Sequence, residues 1–467
     1  MTSNDGKTSY TTRFSYAASD VAGQLVFTFI IGGYLSKFFT DVYGLSAITS
    51  AYIIAIARWI DAIDAPIWGI IFDKTHSRWG KSRPWFLWLC VPFATFGVLT
   101  FQTPDLGYSA KVWYAAITYI ACNVLYTGIN TPVTSILSGL TANPQERVTL
   151  TCFRMFGSKL GVLIVNLTAL RVVKFLGHGD DRKGFMLALP IYAVGSILFY
   201  LLAFKNLKET IPVEKKSEPI FGTFRALKGN WPWFIIFSSS LLFWIGFIAR
   251  GSTMPYFFQY SLHREDLTWL AYSLDFISLV TALGMPWFCK WTSKRNVWAI
   301  GLVGMVIGQV IVYLGVHQFP SQQLTLHLFG ETISLPLVIF VGWTFGFLFS
   351  GMAMAMPFSI LSDSVDYGEW KTGVRAAGLL TAIGAAFCLK AGAGLGGAIP
   401  LWIMGSCGYV ANAEQTAASL KGIEFNFIWL PAICLLLSTI PVLFYKKYEL
   451  LEPQIHADLE ARRAKAT

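Results

Sequence analysis

Apolar runs of about 18 residues or more, each long enough to cross a bilayer as a helix, recur from one end of this chain to the other. In lipid a spanning segment must satisfy its backbone polar groups internally, so such runs fold as helices packed into a bundle. A membrane β-barrel is excluded, because its strands read as alternating segments of about 10 residues. Charge agrees with this reading. Only 13% of the residues are charged and 54% are hydrophobic, whereas soluble chains carry about 25% charge. The expected fold class is an all-α polytopic membrane protein with twelve transmembrane helices.

The twelve spans are expected at 16–40, 46–72, 84–102, 111–140, 149–175, 184–205, 231–259, 267–289, 296–317, 332–362, 375–406 and 422–446. Pro132 and Pro144 make the division between the fourth and fifth the least sharp. Of the 36 Lys and Arg, 23 fall on the side that holds both termini, the 73–83 turn and the linker 206–230. The positive-inside rule makes that side cytoplasmic. The expected organisation is a cytoplasmic N-terminus (1–15), a six-helix bundle (16–205), a linker (206–230), a second six-helix bundle (231–446) and a tail (447–467), in the cell membrane. A six-plus-six chain with a central loop fits alternating access about a midplane site. The net charge of +10 is spread over short loops rather than gathered in one patch, which argues against nucleic acid. Seven cysteines stand singly within apolar runs and read as small buried hydrophobes. The first apolar run is long and lacks a small-residue cleavage site, so no cleaved signal peptide is expected.

Ionisable side chains inside apolar runs are costly, and they usually face a cavity and have work there. Arg58, Asp61 and Asp64 share the second span. The two carboxylates are about 4.5 Å apart along the helix axis. Such a pair suits one hard cation or one shared proton, and Arg58 is placed to pair with Asp61. The alternative is a structural ion pair. Asp20 and Gln24 share a face of the first span and suit hydroxyl groups; helix capping is the plainer reading for Asp20. Tyr126, Thr127 and Asn130 lie mid-span in the fourth helix. Their oxygens complete a cation shell or act as interhelical glue. Arg154 and Lys159 lie in the fifth span, and Lys390 in the eleventh, in a run of small residues. Arg250 and Asp275 are a further possible pair, as easily structural as functional. There is no Walker A pattern, no GxSxG and no metal spacing among the six histidines, so uphill transport here would be ion-coupled.

Several motifs occur in order: Phe39-Thr-Asp41-Val-Tyr-Gly44; Arg58 with Asp61 before Pro66; Ser77-Arg78-Trp-Gly80-Lys81-Ser-Arg83-Pro84-Trp85; Asn130-Thr-Pro132; Glu146-Arg147 with Arg154; Asp363-Ser-Val-Asp366-Tyr-Gly-Glu369-Trp-Lys371-Thr-Gly373-Val-Arg375; Lys390; and Gly408-Tyr409. With these the chain resembles the glycoside–pentoside–hexuronide:cation symporters of the major facilitator superfamily, from about Ser15 to Tyr448. The resemblance implies the major facilitator fold, no cofactor, and transport of a sugar or glycoside with Na⁺, Li⁺ or H⁺. It also implies roles by position. Asp61 matches a cation-site carboxylate, and Thr127 and Asn130 line that site, with Asp64 a candidate fourth member. Gln24, Tyr126 and Arg154 fall on or near the sugar-facing surface, to which Asp20 is added as a substrate candidate from its own place beside Gln24, and Lys390 matches a lysine that closes the cavity. Asp73, Arg78, Lys81 and Arg83, and Asp363, Asp366, Glu369 and Arg375, belong to cytoplasmic gates.

Two departures stand out. Ala65 occupies the place of the family's second acid, and Asp64 stands one residue earlier, about 100° around the helix. Asn130 replaces an acid of the melibiose permease, which argues against melibiose. Thr103-Pro-Asp-Leu and Tyr114-Ala-Ala-Ile-Thr-Tyr119 resemble members that carry xylosides. The expected partners are a sugar or glycoside, Na⁺ or H⁺ and the bilayer, with the monomer as working unit. A carrier of another class, such as a lysolipid, is the alternative. A membrane enzyme or sensor is disfavoured by the short loops.

Overall fold

The computed structural model describes residues 8–31, 33–73, 75, 77–141, 144–209, 229–320, 322–328, 331–373, 380, 384 and 387–466. Helices dominate. In order they are α1 (Tyr10–Ile30), α2 (Gly33–Lys37), α3 (Ala47–Asp73), α4 (Arg83–Thr100), α5 (Tyr108–Leu140), α6 (Pro144–Gly177), α7 (Asp181–Asn206), α8 (Trp231–Tyr256), α9 (Thr268–Ser273), α10 (Ser278–Trp291), α11 (Lys294–His317), α12 (Leu337–Thr372), α13 (Cys388–Ser406), α14 (Ala417–Glu424), α15 (Leu430–Leu443) and α16 (Lys446–Ala466). Ten helical segments of the described residues are long and apolar enough to cross a membrane. The second expected span lies on α3 and the third on α4.

The ends of these helices follow from local chemistry. Ser9, Asp180, Asn230 and Ser293 each accept a backbone N–H of the first turn, which satisfies donors left open at a helix start. Gly373, at φ 74°, ends α12 in the left-handed region open to glycine. Prolines 92, 132 and 190 sit inside helices, as membrane helices tolerate.

Three details differ from the sequence expectations. The eighth span runs as one helical segment but is not α-helical throughout: 3₁₀ turns at Glu265–Leu267 and Leu274–Ile277 flank the short α9. Strands β1 (Gln323–Leu328) and β2 (Glu331–Pro336) pair antiparallel between α11 and α12. The tail is a helix, α16, whose Ile455 and Leu459 are buried. Of the cysteines, Cys90, Cys122, Cys388 and Cys434 are buried as expected, whereas Cys152 is exposed and Cys289 and Cys407 are half-buried.

The chain forms two compact units. One contains Met1–Lys216, Thr268–Ser273 and Gly397–Ser419; the other contains Ser217–Leu267, Leu274–Gly396 and Leu420–Thr467. In the first unit α1 packs closely on α6. A Cβ at Gly157 would run into the Ala17 backbone, and one at Gly161 would stand 2.7 Å from Gln24 Cβ. This Gly-x-x-x-Gly step removes the side chains that would hold the two helices apart. In the second unit, Trp298, Phe243, Met305, Met356 and Leu435 form an apolar core. There α11 meets α12 through Gly308, whose Cβ would lie 2.7 Å from Gly342 O.

Candidate functional site

The close seat of α1 on α6 decides what the intramembrane polar groups reach. With Gly157 and Gly161 against α1, Arg154 and Ser158 come level with Asp20 and Gln24. Arg154 Nε donates to Asp20 Oδ2 at 2.6 Å. Its Nη2 donates to Asn130 Oδ1 at 3.1 Å and its Nη1 to Thr134 Oγ1 at 3.0 Å. One turn further along α1, Gln24 Nε2 donates to Ser158 Oγ at 3.1 Å. The guanidinium thus ties α1, α5 and α6 together, with five donors in a planar fork. Its side chain keeps 21% exposure, which leaves this cluster open to a ligand.

A second cluster lies on α3 and α5. Thr127 Oγ1 donates to Asp61 Oδ1 at 2.8 Å. Arg58 Nη1 donates to Asn123 Oδ1 at 3.1 Å and stands 3.6 Å from Asp61 Oδ2. Arg58 and Asp61 side chains are each only 6% exposed. Phe27 and Tyr119 lie beside the guanidinium, at 6.0 and 5.9 Å from their ring centroids. Asp64 is buried on the same helix. Between the two clusters the rings of Phe27 and Tyr126 stack 3.6 Å apart. Gly23 makes room for Tyr126, since a Cβ there would stand 3.2 Å from that ring.

Seven of the residues singled out from the sequence therefore gather here: Asp20, Arg154 and Asn130 in one group, Arg58, Asp61 and Thr127 in the other, and Tyr126 between. Asn130 joins the arginine cluster rather than the Asp61 cluster. Gln24 stands beside the first group through Ser158. Lys390 belongs to the second unit, half-exposed near the start of α13. Thr134, Ser158 and Asn123 were not singled out. The signal for Ser158 was Gly157-Ser-Lys-Leu-Gly161, which predicts a close helix contact and hence a polar partner across it; for Thr134 it was its place one turn after Asn130 on α5. For Asn123, the signal was its place one turn before Thr127.

The two charged turns have partners that sequence reasoning did not name. In the first unit Gly80 takes φ 103°, and the amides of Lys81, Ser82 and Arg83 all point to the Glu209 carboxylate. A Cβ at residue 80 would press on that carboxylate at 3.0 Å. Arg83 donates to Phe204 O at 2.7 and 3.0 Å. Arg78 stacks on Trp79, and Lys81 Nζ sits 4.8 Å from the Phe72 ring. The backbone of Asp73 ends α3; its side chain lies outside the described residues. In the second unit Asp363 accepts from Lys294 Nζ at 2.8 Å and Tyr445 OH at 2.6 Å. Burial pushes the Asp363 carboxyl above the ordinary carboxylate range, and Lys294 and Tyr445 offset only part of that. Asp366 and Glu369 are half-buried, and Arg375 lies outside the described residues. Near the N-terminus, Glu146 accepts from Thr8 and from Arg13 Nη2. Hydrogen bonds from Thr8, then Arg13, hold its carboxyl below the usual glutamate range.

A family model described as MFS/sugar transport protein matches residues 15–447. An isoprimeverose transporter of Lactiplantibacillus pentosus is 40% identical over 457 residues, which cover 97% of this chain and 91% of that protein. A putative glycoside/cation symporter, YagG, of Escherichia coli (strain K12) is 28% identical over 401 residues, 85% of this chain and 84% of that one. The solved structure of a D-xylose-proton symporter superposes with a TM-score of 0.62 at 18% identity, over 93% of this chain and 97% of the other. At that identity the likeness concerns the fold.

Proposed function

From the premise that the chain belongs to the MFS/sugar transport protein family, we propose that it is a secondary transporter that carries a glycoside of the isoprimeverose kind in symport with Na⁺ or H⁺. It is a multi-pass membrane protein with the major facilitator fold. In this reading it works as a monomer in the cell membrane, with both termini cytoplasmic, by alternating access and without a cofactor.

The observation that carries the reading is the spacing of the two clusters along α5. Asn130 and Thr127 are one turn apart, so a ligand at Arg154 and an ion at Asp61 act on the same helical turn. Arg154, Asp20, Asn130 and Thr134 offer donors and acceptors at the partly open end, the complement of sugar hydroxyls. Asp61 and Thr127 offer oxygens at the sealed end, the complement of a desolvated cation or a proton. Gln24 and the Phe27–Tyr126 stack border the first. Occupancy of either group then favours the other, which is the reciprocal coupling a symporter needs. Identity to a protein named for isoprimeverose, together with the resemblance to xyloside carriers, favours a glycoside over a lysolipid. The Asp363 and Arg83 turns, each within its own unit, act as gates in this reading.

The test is Asp61→Asn in membrane vesicles supplied with isoprimeverose. The expected outcome is normal protein in the membrane, exchange of glycoside across it, and no accumulation against a gradient. Full accumulation by that variant would sink the coupling role. Thermal-shift titration of the purified protein supplies a second readout, since a bound ligand stabilises the state it binds. Isoprimeverose is expected to raise the melting temperature more when the coupling cation is present.

A further inference from the structure

Arg58 has two acceptors within reach, and it bonds to the uncharged one. Its Nη1 is 3.1 Å from the Asn123 amide oxygen and 3.6 Å from Asp61 Oδ2. At 3.6 Å the second is an ion contact, longer than a charge-assisted hydrogen bond of about 2.8 Å. Asn123 is itself fixed. It is 1% exposed, and its Nδ2 donates to Tyr119 O at 2.9 Å, one turn back on α5. Its oxygen is therefore turned toward α3. The Phe27 and Tyr119 rings add cation–π support on the flanks, which strengthens where water is excluded.

The arrangement is odd in energetic terms. A guanidinium and a carboxylate buried side by side attract strongly in a low dielectric. Left alone, they close into a fork-to-fork pair. Such a pair would use the Asp61 oxygen that the coupling ion needs, and the ion would have to compete with a tethered cation of the protein. We propose that Asn123 is a positioning residue for ion coupling: it holds the Arg58 guanidinium back from Asp61, so that the ion and Arg58 share that carboxylate instead of excluding one another. The inference rests on the symport reading above and adds to it a residue that acts through Arg58.

Among the described residues, the charged and titratable groups around Asp61 are Arg58 and Asp64 on α3 and Tyr119, Cys122 and Tyr126 on α5. Asp20 and Arg154 stand beyond the Phe27–Tyr126 stack. Of these, Arg58 is the cation nearest to Asp61 within the first unit, so its seat sets how strongly an incoming Na⁺ or H⁺ is opposed. Without the amide, the guanidinium gains more by closing on Asp61 than by keeping a donor unmatched in a buried place.

The experiment measures isoprimeverose uptake in vesicles while Na⁺, Li⁺ and external pH are varied in turn. In Asn123→Ala, the cation concentration for half-maximal uptake is expected to rise tenfold or more, while the maximal rate at saturating cation changes far less. Asn123→Asp gives up the Nδ2 donor to Tyr119 O but still offers Arg58 an acceptor, a charged one, and is expected to need no more cation than the wild type. In an Arg58→Met background the Asn123→Ala change is expected to shift the cation requirement less than twofold, because its target is gone. An unchanged cation requirement in Asn123→Ala overturns the proposal, as does a rise of equal size with Arg58 removed. If Asn123→Ala fails to reach the membrane, Asn123→Asp decides alone: a tenfold rise there overturns it. Wild-type vesicles that do not take up the glycoside defeat the symport reading instead, which is a distinguishable failure.

Discussion

Among the described residues each unit buries one arginine against aromatic rings, and the two are held in different ways. Arg58 in the first unit bonds to an amide and leans toward a carboxylate. Arg250 in the second unit is 2% exposed and boxed by Phe347, Trp343 and Phe247, with ring centroids at 4.4, 4.5 and 5.5 Å. Its Nη2 has no hydrogen-bond acceptor among the described residues. A ring cage holds a cation by its field and tolerates small displacements. An amide and a carboxylate hold it by direction, so a shift of a few tenths of an ångström changes which one it serves. The first arrangement suits a part that must respond to an ion; the second suits one that stays put.

The sharpest way to break this comparison is to remove each charge in turn. Arg58→Met strips the buried Asp61 of a close counter-charge, and the loss expected for a broken buried pair is about 3–5 kcal/mol of stability. Arg250→Met replaces a cation held chiefly by rings, with Asp275 acting on it only at longer range, by an apolar chain of similar reach. Its expected loss is smaller, about 1–2 kcal/mol, the range of a desolvated cation–π contact. Denaturation of the purified variants checks both. Equal losses would mean that the two arginines are held alike.

A milder perturbation tests the backbone beneath each unit's charges. Gly157→Ala drives a Cβ into the Ala17 backbone, which cannot yield, and overpacking of this kind costs about 1–3 kcal/mol. Glycoside affinity should fall with it, since Arg154 and Ser158 are carried away from Asp20 and Gln24. Gly346→Ala meets only the tip of Arg250, Nη1 at 3.0 Å. That side chain can give way, so the melting temperature should move less and affinity should hold. Paired melting curves and binding isotherms read this out.

The smallest effect is expected at a carboxylate outside the membrane. Glu146 is held below the ordinary glutamate range by Thr8 and Arg13. A depressed carboxyl stabilises above its unfolded value, about 4.3, and loses that contribution as pH falls through the lower folded value. Protection of Thr8–Arg13 against proteolysis should hold at neutral pH and fade only in strong acid. Glu146→Gln should show weaker protection at neutral pH and little change with acid.

Much of this was legible from the residues. Helices followed from apolar length, and the intramembrane charges stood out because lipid makes them expensive. What the charges touch did not follow. Whether Arg154 faces Asp20 or a neighbour depends on the rotation of α6, which is set by Gly157 and Gly161 against α1. Asn130 illustrates the limit. Its position three residues after Thr127 places it near the ion cluster, yet the fork of Arg154 claims its oxygen. The 3₁₀ turns in the eighth span escaped notice because nothing in Glu265–Ile277 is a proline or glycine. The hairpin between α11 and α12 did not follow because β2 reads as the start of an apolar run.

The seat of Glu209 in the 80–83 turn bears on how the chain can be divided. Its carboxylate is the ligand of three successive amides at the start of α4, although 126 residues or more separate it from them in sequence. If the two halves were synthesised as separate polypeptides and left to assemble, the cut would have to come after Glu209. A first half ending at Asn206 would keep every one of its spanning helices and still lack the plug of its own turn. A first half that ran three residues further would carry it.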